Sequence, residues 1–458
     1  METAVGAAGP GVAAARTPAG VPPVGTAEGC PRTFCFASSA AGRGSRVRGG
    51  GRRAGRGPRR LGPGLVSGAA DTDPTTVATL VVVGAAAGYG LAWLTLLSIP
   101  AVAVVQVLAT RVGTLTGRNL QSAVRDGYGR LAGSLLLVSV LTVNTVTVGA
   151  DLAAGAAAIG LLVGLESRWL VPVFAAAVLA LLFVGRYDEV ERVLKWAMVG
   201  LLAYGAAVVL ARPDWAAVAR GSLLPPLSIT STHLAGAVAI LGTLLTTYMY
   251  LWQTVEQVEE RAARTSLRVR EFDAVTGATL ACLIAWCILV ASGATLGTHH
   301  ESVDTAQQAA QVLRPLAGPL ASELFAVGLL AAAVVAAPVI MAAGGYAAAS
   351  AFGWERGLTR SPRQAPGFYT LIALQAVVGA VLAMGTVSPI RLLFVASLVA
   401  GVATPFGLVM LVLCAGNAKL VGGRPIARGL RVAGWLVAAG TAALSLVFLL
   451  QQLHVLRR

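Results

Sequence analysis

Charged side chains are scarce in this 458-residue chain: Asp, Glu, Lys and Arg together make up 12%. A soluble globular domain carries about 25%, so an ordinary soluble fold is excluded. Cysteine is sparse too, five in all, which excludes a disulfide-built scaffold. No Gly-rich phosphate loop ending in Lys-Ser/Thr, no H-E-x-x-H and no nucleophile elbow is found, so no soluble-enzyme chemistry is indicated. No apolar core follows a charged start, and the first residues are therefore not expected to be a signal peptide. What fills the space is apolar: 56% hydrophobic residues, a mean hydropathy of +0.75 and long unbroken runs of Ala, Leu, Val and Gly. Such runs read as transmembrane helices and not as the alternating strands of a membrane β-barrel.

The net charge of +15 is unevenly placed. Residues 1–60 hold ten Arg and two Glu, with eight of those Arg between Arg43 and Arg60. This Gly/Ala/Pro/Arg-rich stretch lacks aliphatic periodicity and is expected to be a disordered basic cytoplasmic tail, followed by a transmembrane domain over 61–458. Hydropathy places eleven candidate spans at roughly 61–88, 91–112, 131–165, 169–185, 194–212, 234–258, 272–297, 316–350, 367–386, 388–416 and 430–452. Loops after the even-numbered spans, together with those leading into the odd ones, carry Arg111, Arg118, Arg125, Arg130, Arg186, Arg192, Lys195, Arg261, Arg264, Arg268, Arg270, Arg356, Arg360, Arg363, Lys419, Arg424, Arg428 and Arg431. The opposite loops carry Arg168, Arg212, Arg220, Arg314 and Arg391. By the positive-inside rule the first set is cytoplasmic, the N-terminus with it, and an odd span count leaves the C-terminus outside. The basic excess is thereby explained by orientation in a bilayer, and no nucleic-acid partner is needed.

Charged groups at bilayer depth cost about 2.5–3.5 kcal/mol each on insertion scales, so each asks for a reason. Asp71, Asp73 and Asp151 are the clearest cases. Asp73 lies mid-span in GPGLVSGAADTDPTTVATLVVVG. Pro74 biases it away from helical geometry and removes the N–H partner of the Ala70 carbonyl. Thr75 and Thr76 add two hydroxyls. A broken helix with a carboxylate, hydroxyls and a freed carbonyl offers the ligand set of a hard cation; a Pro kink with its Asp paired to a neighbouring helix is the plainer reading. Span six has a second polar interruption, with Gly242, Thr243, Thr246, Thr247, Tyr248 and Tyr250 close together. If spans 1–5 and 6–10 are two repeats, the two interruptions fall in corresponding helices, which points to a transporter's midplane site. In span three Asn144, Thr147 and Asp151 share one helical face. That stripe is either a proton or water path or a set of interhelical hydrogen bonds.

Taken in order, GPGLVSGAADTDPTT, LTGRNLQ, NTVTVGADLAAGAAA, YLWQTVEQVEE and SPIRLLFVASLVAGVATPFGLVMLVLCAGN resemble the Nramp family of divalent metal transporters. The chain looks most like the Nramp-related branch associated with magnesium and manganese, from about Leu61 to Leu450. The resemblance implies an all-α membrane protein with the five-plus-five inverted-repeat fold, one extra helix, and helices one and six broken around a metal. The family's D-P-G-N motif falls on Asp73 to Thr76. Its Asp is Asp73, its Asn is replaced by Thr76, and the carbonyl three before the Asp belongs to Ala70. The family's span-six Met falls on Thr246, the carbonyl before it on Thr243, and the Pro and His that follow on Thr247 and Tyr248. Losing the thioether removes a filter against hard ions and leaves an all-oxygen site, which points to Mn²⁺ or Mg²⁺ over Fe²⁺.

Asp151 matches the family's span-three Asp, but its acidic companion is Ala154. Both proton coupling and uniport driven by the membrane potential therefore stay open. Asp71, Thr75, Thr247, Tyr248, Asn144 and Asp151 are expected to line the site or a proton path. The expected function is secondary transport of divalent cations across the plasma membrane into the cytoplasm, with the metal as substrate and no cofactor. An amino-acid or organic-cation carrier of the same fold, and a non-transporting metal sensor, are the competing readings.

Overall fold

The computed structural model describes residues 72–184, 204–226, 230–259, 266–297, 303–358, 360–424 and 426–456. Among them the regular structure is helical throughout. The helices used below are α1 (Pro74–Ala87), α2 (Ala92–Thr116), α3 (Leu120–Val163), α4 (Ser167–Val184), α5 (Trp215–Leu223), α6 (Ser231–Leu244) and α7 (Thr247–Glu259). They continue with α8 (Leu267–Thr295), α9 (Ala321–Phe352), α10 (Pro366–Ala383), α11 (Pro389–Gly416) and α12 (Arg428–Leu456).

Eight stretches of the described residues are long and apolar enough to cross a membrane, with α6 and α7 counted together; α1 and most of α4 are shorter apolar helices. The expected fifth span, 194–212, lies mostly outside the described residues, as do residues 61–71 of span one, Ala70 and Asp71 among them. The described residues therefore do not display the full count of eleven. The expected basic tail, 1–60, also falls outside them. Bulky apolar side chains such as Val377, Val381, Leu436, Leu446 and Leu453 are exposed on the outer faces of α10 and α12. In water this would be a liability; against acyl chains it is the expected surface.

Local chemistry explains where helices start and bend. α3 opens with Asn119, whose Oδ1 accepts from Ser122 N at 3.0 Å. It kinks at Gly129 (φ 88°), a left-handed backbone that L side chains avoid. The kink separates a polar first segment from the apolar span, which is why hydropathy places the span's start at about 131. α3 is the hub of the bundle and packs against α4, α9, α10 and α11. On the other side α8 packs against α1 and α2, and α6 packs against α1 and α11.

Two backbones meet where α6 crosses α11. A Cβ on Gly242 would run into the Ser397 carbonyl, and one on Gly401 into the Val238 carbonyl. The same segment of α11 contains Pro405, which leaves the Gly401 carbonyl without its helical N–H. Ser445 Oγ of α12 donates to that carbonyl at 2.9 Å, so the vacancy is filled from a neighbouring helix.

Candidate functional site

Asp73 is the N-cap of α1, in extended backbone (φ −79°, ψ 171°), with Pro74 at the first helical position. An Asp cap followed by Pro at N1 is a strong helix start in any setting; here it occurs in the middle of an apolar run. Asp73 is 2% exposed. Its Oδ1 accepts from Thr75 Oγ1 at 2.6 Å, Thr76 N at 2.7 Å and Thr76 Oγ1 at 2.8 Å. Its Oδ2 accepts from the Tyr248 hydroxyl at 2.7 Å. The Thr243 hydroxyl lies 2.7 Å from Thr76 Oγ1 and 3.3 Å from Thr75 Oγ1. Five residues separated by up to 175 positions in sequence are thus joined in one buried cluster.

The second wall of the cluster comes from a break between α6 and α7. α6 ends at Leu244, Leu245 leaves helical geometry (φ −122°, ψ 26°), and α7 resumes at Thr247 with Met249 N donating to the Thr246 carbonyl at 3.1 Å. The Leu245 carbonyl accepts from Thr404 Oγ1 of α11 at 3.3 Å. Broken backbone at membrane depth needs such partners, because no bulk water supplies them. Thr246 Oγ1, in the break itself, is buried and has no hydrogen-bond partner among the described residues, and the same holds for Thr72 Oγ1 beside Asp73.

The cluster contains one carboxylate and otherwise hydroxyl and amide groups. No group of three or more His, Cys, Asp or Glu that could hold a metal exists among the described residues. A thiolate or imidazole site for a soft ion is therefore not built there. Each hydroxyl that now donates to Asp73 still has lone pairs, and rotation about its C–O bond turns them towards a cation. One negative charge ringed by rotatable hydroxyls suits a hard divalent ion that keeps part of its water.

The remaining sequence candidates separate into two groups. Thr247 is buried and accepts from the Tyr250 hydroxyl at 3.2 Å, away from Asp73. Asn144 and Asp151 are both 0% exposed on α3. Asn144 Nδ2 donates to the Ile340 carbonyl of α9 at 2.9 Å, while both Asp151 oxygens lack a partner among the described residues. Ala70 and Asp71 lie outside the described residues. Thr243, expected to offer its carbonyl, also reaches α1 through its hydroxyl. The sequence reading missed Ser397, which accepts from Thr79 Oγ1 at 2.7 Å, and Thr404. Their signal is slight: one is a lone Ser in an apolar run, the other a Thr directly before Pro405.

A profile of the natural resistance-associated macrophage protein-like (Nramp) family matches residues 64–451. The divalent metal cation transporter MntH of Deinococcus radiodurans is 31% identical over 402 residues, covering 84% of this chain and 88% of that one. MntH of Ralstonia nicotianae is 30% identical over 391 residues, covering 79% and 84%. MntH of Listeria innocua matches a shorter region, 31% identical over 284 residues and covering 59% and 63%. Among solved structures, the Eremococcus coleocola manganese transporter in complex with an aromatic bis-isothiourea substituted compound superposes with a TM-score of 0.69 at 19% identity, covering 84% and 85%. Mhp1, a nucleobase-cation-symport-1 family transporter in a closed conformation, superposes with a TM-score of 0.56 at 18% identity, covering 84% and 90%. At these identities the superpositions establish the fold alone: the two-repeat membrane fold in which helices one and six are interrupted.

Proposed function

The chain belongs to the Nramp family, and from that premise we propose that it is a secondary transporter carrying divalent metal cations into the cytoplasm by alternating access. Mn²⁺ and Mg²⁺ are its favoured substrates, ahead of Fe²⁺. The observation that carries the proposal is the buried carboxylate of Asp73, set at a helix start and hydrogen-bonded by the hydroxyls of Thr75, Thr76 and Tyr248, with the Thr243 hydroxyl on Thr76 behind them. Such a site has charge for a cation, only oxygen to offer it, and no soft ligand to prefer a transition metal. The names of the relatives support the same substrate class, since the sequence matches are divalent metal cation transporters and one structural match is a manganese transporter.

Substrate ligands are assigned to Asp73, Thr76, Thr243 and Thr246, with the Ala70 carbonyl as a further donor. The arginine-rich loops face the cytoplasm of a cell whose plasma membrane the chain spans, with the N-terminus inside and the C-terminus outside. A membrane potential of 100 mV supplies about 2.3 kcal/mol per elementary charge, hence about 4.6 kcal/mol for a divalent ion. That alone sustains roughly a thousandfold accumulation. With Ala154 in place of an acidic residue beside Asp151, the potential is taken as the main driving force.

The test is influx of Mn²⁺ and Mg²⁺ into proteoliposomes loaded with a metal-responsive dye, with interior pH followed in parallel. Saturable influx lost in Asp73→Ala is expected, with little acidification. No divalent flux from correctly folded wild-type protein would sink the transport reading. Strong acidification would overturn the choice of driving force only.

A further inference from the structure

We propose that the Tyr248 phenol occupies the cation's place on Asp73 in the empty transporter and is displaced each time an ion binds. The inference rests on the transport reading above and concerns the same site. Its basis is the unequal treatment of the two carboxylate oxygens.

All three donors on Oδ1 come from the first turn of α1, so they move with Asp73 whatever the rest of the bundle does. Three donors already exceed the two lone pairs of that oxygen, which leaves Oδ2 as the atom with room for an ion. The described donor on Oδ2 is the Tyr248 hydroxyl, which comes from α7, across the site. Tyr248 is buried, so water does not substitute readily for it. At 2.7 Å from Oδ2 the phenolic proton points at the carboxylate. A magnesium-sized ion would sit about 2.0–2.1 Å from the same oxygen and cannot share it with a proton aimed along the same direction.

Two consequences follow for the transport cycle. The empty carrier keeps its buried carboxylate satisfied by a neutral donor, so it can change conformation without an ion and without an unpaired charge in the bilayer. Ion binding has to break one charge-assisted hydrogen bond, which weakens affinity equally for every divalent ion. Tyr248 therefore sets how tightly the site holds its cargo and how fast it lets go, and leaves the choice among metals to the ligands.

The experiment compares wild type with Tyr248→Phe, which keeps the ring and removes the hydroxyl. In proteoliposomes, KM for Mn²⁺ and for Mg²⁺ should each fall by roughly tenfold, the scale of one hydrogen bond to a charged group. The maximal rate should fall as release slows, and the Mn²⁺-to-Mg²⁺ selectivity ratio should not move. A KM that rises, or is unchanged, overturns the proposal, because the phenol would then be a metal ligand or a structural group. Wild-type protein supplies a second measurement that does not depend on the folding of the variant. Saturating Mn²⁺ should give a tyrosine ultraviolet difference spectrum that is absent in Asp73→Asn. Metal binding with no tyrosine signal overturns the proposal while sparing the transport reading. Absence of divalent binding and flux in wild type would overturn both.

Discussion

At the scale of single residues, the chemistry turns on what surrounds one carboxylate. Asp73 is buried beyond the reach of bulk water yet fully hydrogen-bonded, which makes a charge at bilayer depth tolerable. Thr246 differs from its neighbours because its hydroxyl has no partner among the described residues. Its hydroxyl, like that of Thr72, is therefore ready to accept a new ligand role. Thr246→Met is expected to shift transport from Mg²⁺ towards Mn²⁺ by on the order of tenfold, equivalent to about 1.4 kcal/mol, since a thioether disfavours the harder ion. Competition between the two ions in the dye assay measures the ratio. Asp151 is expected to contribute little to flux: Asp151→Asn should keep Mn²⁺ influx within about twofold of wild type, a difference of about 0.4 kcal/mol. A loss of influx accompanied by a loss of acidification would restore it to a proton path.

At the scale of elements, the site exists because α1 starts at Asp73-Pro74, α6 gives way to α7 at Leu245, and other helices supply the missing partners. The α6–α7 break is held by Thr404 of α11 through the Leu245 carbonyl, and α6 itself lies backbone-to-backbone on α11 through Gly242 and Gly401. Gly242→Ala should therefore destabilise the protein by about 3 kcal/mol, the upper end of overpacking costs, because the obstructing atom is a carbonyl and not a flexible side chain. A lowered thermal midpoint together with reduced influx is the expected outcome, read by size-exclusion after heating. Whether a polar residue in an apolar run belongs to a site was not legible from sequence. Thr276 and Thr279 donate to carbonyls four residues back in their own helix, the usual behaviour in membranes. Thr79 and Thr404 look the same in sequence but reach another helix.

At the scale of the whole molecule, the proposed orientation rests on where the arginines lie, and it can be checked directly. Arg118 and Arg314 are both exposed, in loops assigned to opposite sides. A membrane-impermeant maleimide applied to intact cells should label Arg314→Cys and leave Arg118→Cys unlabelled, with the native protein as control. The reverse pattern would invert the topology. The end of the bundle that carries Arg118 is tied by side-chain contacts between helices. Arg111 pairs with Glu271 at 2.6 Å, Asn119 Nδ2 donates to Ser350 Oγ at 2.8 Å, and Leu120 N donates to Thr254 Oγ1 at 2.8 Å. A Cβ on Gly113 would meet the Thr254 carbonyl at 2.8 Å, so α2 and α7 are closed upon each other there. The alternating access proposed above would require these contacts to part when cargo is released on that side.

The sequence alone determined the membrane class, the all-helical architecture and the start of α1 at Asp73-Pro74. Each of these depends on local composition: hydropathy over about twenty residues, charge in short loops, and the fixed geometry of a proline. The same local logic located the second interruption near Thr246. Only the tertiary structure decided which atoms meet. It set the hydroxyl of Thr243 against Thr76, put Tyr248 on Oδ2, and left Asn144 bonded to α9 and not to the Asp73 cluster. Those outcomes depend on how far each helix is rotated and shifted against its neighbours. Packing of small residues such as Gly242 and Gly401 sets that geometry across more than a hundred intervening positions, and no local pattern encodes it.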